Sequence, residues 1–190
     1  MKLRAAHFLV AGALLSAGCT VSFGQEIIHA VTGVVTNVDT STHTITLKEN
    51  DGTQLVIRDE AANHPYYDFD RTLRSEATDS TAFDKQGDRV ILYYFGEGLQ
   101  QRAVAVKDLG PAALKTSSGK VTHWDHHHHL ITIKATDGSQ QTFQLDEKTA
   151  VETPMGVVDG DKFGPHTGDQ VLIKCLDKSG NNEALFLNES

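Results

Sequence analysis

The chain has 190 residues, with 17 Lys and Arg against 25 Asp and Glu and a formal net charge of −8 at pH 7. An acidic surface repels phosphate backbones and anionic lipid headgroups, so nucleic acid is excluded as the expected partner. Cysteine is sparse: Cys19 and Cys175 are the two in the chain, and no Cys-x-x-Cys pair is present to suggest redox or zinc chemistry.

Residues 1–24 read as a targeting segment rather than part of a fold. Lys2 and Arg4 form a positive start, Phe8 to Leu15 a short apolar run, and Ser16, Ala17 and Gly18 a small-residue stretch. The run is too short to span a bilayer as a stable helix. LLSAGC, ending at Cys19, resembles the lipobox of bacterial lipoproteins, with Ser16 where such families usually carry Leu. The resemblance implies acylation of Cys19. Thr20 stands where an Asp would signal inner-membrane retention, which implies an outer-membrane anchor. The rival reading is cleavage after Gly24, releasing Gln25. Without Lys2 and Arg4 the rest of the chain is more acidic still, and its roughly 170 residues suffice for one large domain or two small ones.

The remainder repeats itself. GVVTNVDTSTHTITLKENDG (33–52) lies over GKVTHWDHHHHLITIKATDG (119–138) without gaps, at an offset of 86 residues. Gly33 meets Gly119, Asp39 meets Asp125, Ile45 meets Ile131, and Asp51-Gly52 meets Asp137-Gly138. GDRVILYYF (87–95) then matches GDQVLIKCL (168–176) at an offset of 81, as does Ala103 with Ala184. A tandem duplication follows, with a first unit at 30–108, a linker at 109–118 and a second unit at 116–190. The mismatch between units is expected at 59–86 against 146–167, read as a polar, variable stretch.

Within each unit the elements are strands. Thr44 to Lys48 and Thr132 to Lys134 alternate polar and apolar, and the Asp-Gly pairs mark hairpin turns. Val56-Ile57 and Thr142-Phe143 fall in a third strand. After the insertion come Gly-Asp, a strongly apolar strand, and a closing strand at Ala103–Val106 or Ala184–Leu187. Val35, Ile45, Leu47, Val90 and Leu92 are expected in one core. Val121, Ile131, Ile133, Val171 and Ile173 are expected in the other, and Cys175 is expected buried as a small hydrophobe.

A three-strand meander, an insertion and a two-strand hairpin resemble an OB-type barrel, so the expected fold is all-β, two tandem five-stranded barrels. The pattern G-x-V-x-x-V-D, T-I-T-L-K, D-G and G-D-x-V also resembles secreted bacterial proteins built from such repeats. The alternative is one intertwined sandwich; short connections favour separate barrels.

HWDHHHHL (123–130) carries five of the ten histidines. The repeat places it at the end of strand one, a turn, and the start of strand two. It therefore replaces a native turn and is no purification tag. Trp124 falls on Val38, an apolar slot, and is expected to be covered. His129 sits over His43 and is expected to be structural, closing the barrel end. His126, His127 and His128 have no counterparts and are expected exposed at the tip, with His123 and Asp125 beside them. Neutral imidazoles at short spacing suit Cu, Zn or Ni, so these five residues form the candidate metal set; the competing reading is a solvated turn. The stretch bears a partial resemblance to small periplasmic copper-binding proteins with OB barrels, whose sites combine His, Met and Trp. Met155 is the single methionine after the leader, which argues against a thioether Cu(I) site here.

Other stretches point less sharply. His64-Pro65-Tyr66-Tyr67-Asp68-Phe69-Asp70-Arg71 is expected to pack a loop onto its own barrel, though aromatics beside acids can also grip sugars or peptides. Asp159-Gly160-Asp161 reads as a turn rather than a calcium loop. No nucleophile elbow, phosphate loop or zinc-protease helix is present, so a non-catalytic protein is expected. The primary expectation is an envelope binding or scaffolding module with an envelope protein as partner. The second is a periplasmic metal-binding or buffering protein.

Overall fold

The computed structural model describes residues 27–59, 71–176 and 182–190. Cys19, the leader and most of the aromatic loop (60–70) lie outside the described residues. The first unit contributes β1 (His29–Asp39), β2 (Thr44–Lys48), β3 (Gln54–Asp59), α1 (Arg71–Ser75), β4 (Thr78–Asp79), β5 (Arg89–Phe95) and β6 (Arg102–Gly110). The second contributes β7 (Lys115–Asp125), β8 (Leu130–Ala135), β9 (Gln140–Gln144), β10 (Ala150–Thr153), β11 (Gly156–Asp159), β12 (Gln170–Cys175) and β13 (Ala184–Glu189). Strand structure runs to Gly110 and resumes at Lys115, so only 111–114 lies between the units.

Both units close in the OB order. In the first, β1 pairs with β2 and β5, β2 with β3, β5 with β6, and β3 meets β6 in parallel at Arg58↔Arg102 and Asp59↔Ala103. In the second, the same circuit runs β9-β8-β7-β12-β13, and a parallel bridge between Gln144 and Glu183 closes it. No strand of one sheet pairs with the other among the described residues, so the intertwined sandwich is not what forms.

The repeat glycines explain how one long strand serves two partners. The start of β1 pairs with β5, and its end with β2; β7 divides itself likewise between β12 and β8. The handover falls at Gly33 and Gly119. A Cβ at Gly33 would lie 2.8 Å from the Lys48 carbonyl oxygen, and one at Gly119 only 2.2 Å from that of Lys134. The bare backbone is what lets the strands cross so closely. Beyond each glycine a bulge resets the register, between Val35 and Asn37 and between Val121 and His123.

The ten residues assigned to the two cores are all buried, each at 1% exposure or less. Val35, Ile45, Leu47, Val90 and Leu92 share one cluster with Ile57 and Phe83. Val121, Ile131, Ile133, Val171 and Ile173 share another with Phe143 and the buried Cys175.

The insertions differ from the polar loop expected of them. In the second unit, β10 and β11 form a hairpin around Pro154 and Met155, and β10 adds in parallel to β13. Its Ala150 and Val151 are fully buried. In the first unit the described part holds α1 and the short β4, which pairs with β6. Both insertions end alike. Ser80–Ala82 and Gly160–Lys162 each make a single 3-10 turn, and buried Phe83 and Phe163 follow them. Asp159 is buried and its Oδ2 takes a 2.7 Å contact from Lys162 Nζ, which ties down the Asp159-Gly160-Asp161 turn internally.

A third core joins the barrels. Ile28, Ala30, Ile91 and Tyr93 of the first unit cluster with Ala150 and Phe186 of the second. The Ile28 carbonyl accepts a 2.8 Å hydrogen bond from the Val157 amide. Gly156, at φ +105°, lets this hairpin lie against Ile27 and Ile28, since a Cβ there would stand 2.4 Å from the Ile27 side chain. Polar contacts border the apolar patch. Glu152 takes the Ala30 amide at 2.7 Å and His29 Nδ1 at 2.5 Å. Glu76 receives Lys107 Nζ at 2.7 Å and Lys148 Nζ at 2.6 Å, and Lys107 Nζ also donates to the Lys148 carbonyl.

The Glu76 carboxyl is held below the ordinary range, chiefly by the hydrogen bonds from Lys107 and Lys148. A carboxyl with a depressed folded pKa stabilises the fold above its unfolded pKa, about 4.3, and loses that contribution as pH falls through the folded value. Glu76→Gln should therefore cost about 1 kcal/mol at pH 7, a modest figure because water reaches the carboxylate. The deficit against wild type should shrink below pH 4 in urea titrations run across pH; a deficit independent of pH would separate Glu76 from this linkage.

Candidate functional site

The two β-hairpin turns that open each barrel share one construction. Asp39 Oδ1 accepts the Ser41 and Thr42 amides at 2.8 and 3.1 Å, and Asp125 Oδ1 accepts the His127 and His128 amides at 3.0 and 3.1 Å. Each is an aspartate bonding its own turn. The Asp39 carboxyl is lowered to about 2, first by the Ser41 and Thr42 side chains and then by their amides. That of Asp125 is lowered first by the His128 side chain and then by its amide.

His43 and His129 end these turns in the left-handed region, at φ 53° and 50°. Histidine is one of the few L-residues enriched there. Their carbonyls accept the Asp59 and Leu145 amides, each at 2.9 Å, tying the turn to the third strand. The shared histidine is thus structural, as its place in the repeat suggested. His129 is half-buried, with its ring 6.2 Å from that of Trp124. Trp124 is half-buried against the second core.

His126, His127 and His128 are exposed at the tip, and His123 is exposed on β7 opposite Thr132. His128 Nδ1 lies 2.8 Å from Asp125 Oδ2. The His126 and His127 rings stack with centroids 6.4 Å apart. The candidate set is therefore adjacent without converging: among the described residues no group of three or more His, Cys, Asp or Glu side chains is placed to hold one ion.

The outer face of the meander flanks this turn. In the second barrel it presents Thr132 opposite Thr142 and Lys134 opposite Gln140, and Gln144 Nε2 donates to the His128 carbonyl at 2.9 Å. In the first barrel it presents Thr44, Thr46 and Lys48 opposite Arg58, Val56 and Gln54. Val56 is 61% exposed, an apolar residue standing alone on a polar face. None of these outer-face residues belongs to the shared core. Sequence reasoning missed that core and the cleft beside it. The signal was present in RVILYYF (89–95), where unbroken apolarity in place of alternation marks a strand covered on both sides.

No family model matches the chain, and no curated protein matches it. Among solved structures it is similar to drosophila Unr CSD456, at 10% identity and a TM-score of 0.32, over 88% of this chain. The chain spans 62% of the length of that structure.

Proposed function

We propose that the chain is a non-catalytic binding or scaffolding protein of the bacterial cell envelope. The observation that carries this reading is the arrangement of the two barrels. They are locked back to back through a shared core, with the outer faces β2–β3 and β8–β9 and the turns beside them left open. OB barrels of other proteins hold ligands on that face and its neighbouring loops. The lipobox-like segment supports a lipid anchor at Cys19 on the periplasmic side of the outer membrane, and the acidic charge supports a protein partner over nucleic acid.

A photo-crosslinking residue placed at Val56 or Thr142 in intact cells tests the reading. It should trap a discrete envelope protein, while the same residue at Gln86 or Thr167, outside the faces, should not. Cys19→Ser should move the protein from the membrane to the soluble fraction. Adducts that ignore position would remove the case for these faces.

One observation favours a second reading, a periplasmic Cu, Zn or Ni binder or buffer. Asp125 engages Nδ1 of His128, which leaves Nε2 of that ring outward as a ligand atom, in the manner of carboxylate-oriented metal histidines. Because the tip is exposed, metal would add stability only by mass action. Changing His126, His127 and His128 together to Ser should leave the apo melting temperature within a few degrees, since exposed substitutions cost less than about 0.5 kcal/mol. The same change should abolish calorimetric binding of all three metals; unchanged affinity would place any metal site elsewhere.

A further inference from the structure

A cleft of about 230 Å³ opens where the barrels meet. Its apolar wall is Val31 from β1, Leu172 from β12 and Phe186 from β13. Its charged groups come from opposite barrels: Glu49 and Asp51, from the turn after β2, and Lys174, from β12. Lys174 occupies the place that Tyr93 fills in the first unit, an outward position on the strand. There it has been buried by the neighbouring barrel to 4% exposure.

A buried ammonium is normally paired. Among the described residues neither the Lys174 ammonium nor the Glu49 carboxylate has a side-chain hydrogen bond or a close ion pair. The two feel each other's charge yet stand too far apart to form a salt bridge. Burial holds the Lys174 ammonium below its ordinary pKa, with the charge of Arg89 adding to the effect. Burial likewise pushes the Glu49 carboxyl up, helped by Asp51. The Arg89 Nε is itself buried without a hydrogen-bond partner. So the cleft has a positive side, a negative side and an apolar wall, and the Lys174 ammonium and Glu49 carboxylate open into it without a protein partner.

We propose that this cleft binds a small zwitterion with an apolar side chain, a free α-amino acid of leucine size. Its carboxylate pairs with Lys174 in the field of Arg89, its ammonium pairs with Glu49, and its side chain covers Val31, Leu172 and Phe186. Binding supplies a partner to the buried Lys174 and to the half-buried Glu49 at once, which a plain carboxylate or a plain amine does not. The volume fits: at about 30 Å³ per water, the cleft has room for seven or eight waters, a space on the scale of a leucine molecule. Ligand sites favour such interfaces between domains. The proposal goes beyond the envelope-scaffold reading and stands whether or not the outer faces bind a partner.

Calorimetry of the purified chain with L-leucine tests it, alongside 4-methylpentanoate, which lacks the ammonium, and 3-methylbutylamine, which lacks the carboxylate. Leucine should bind, and each half-ligand should bind at least tenfold more weakly. Lys174→Met and Glu49→Gln should each weaken leucine at least tenfold, with the apo melting temperature held or raised, because each removes an unpaired charge. Should Lys174→Met fail to fold, Glu49→Gln alone carries the comparison. No leucine binding at millimolar concentration, 4-methylpentanoate binding as tightly as leucine, or leucine binding indifferent to the variants would each overturn the proposal.

Discussion

Gly119→Ala should destabilise the protein by about 3 kcal/mol and Gly33→Ala by about 1 kcal/mol, as overpacking where the backbone must give way. The added methyl at Gly119 would lie 2.2 Å from the Lys134 carbonyl oxygen, with the Ala135 Cα at 2.9 Å. Neither atom can retreat easily, because Lys134 and Ala135 are held in the β7–β8 ladder opposite Lys120 and Gly119. At Gly33 the nearest oxygen is 2.8 Å away, so a shift of a few tenths of an ångström suffices. Urea midpoints would check both values, and the order matters more than either number. Equal, near-neutral effects would mean the handover of one strand between two partners is looser than described.

Phe186→Ala should cost about 3 kcal/mol, the low end for loss of a buried aromatic because the adjoining cleft can share the space left behind. Phe186 is 3% exposed and belongs to the core between the barrels, not to the core of its own barrel. Its neighbour Leu187 faces the other way, into the second barrel's core. The two substitutions therefore separate by kind. Leu187→Ala should weaken the second barrel while leaving the two coupled, so unfolding stays a single transition at a lower midpoint. Phe186→Ala should weaken the coupling itself and broaden or split the transition. Identical behaviour of the two variants would deny the shared core an energetic role.

The duplication made most of this architecture readable. Gly33 over Gly119, Asp39 over Asp125 and Ile45 over Ile131 fixed strand, turn and inward face in both units at once, because a period of two leaves only one face for the core. The turn position of the histidines followed from the same alignment. What the alternation does not encode is which outer face meets another. Ile91 and Tyr93 sit opposite in direction to Val90 and Leu92, and their apolarity marked a second covered surface without naming its partner. Leu172 and Lys174 look half-polar, and the buried lysine gives no sequence sign of burial. The second insertion carried a readable signal, Thr153-Pro154-Met155-Gly156 between Ala150-Val151 and Val157-Val158, a turn between apolar pairs. Convergence of the histidines was not readable, because side-chain directions on an exposed turn are set by no packing.

The claim that two barrels act as one body through their shared core is open to a direct measurement. Trp124 is the single tryptophan and lies against the second barrel's core, so its fluorescence reports that barrel. Far-ultraviolet circular dichroism reports the strands of both. In urea, the two probes should give coincident transitions in the wild-type chain, the signature of one cooperative unit. A fluorescence transition well separated from part of the dichroism signal would show the barrels unfolding independently and would contradict the account.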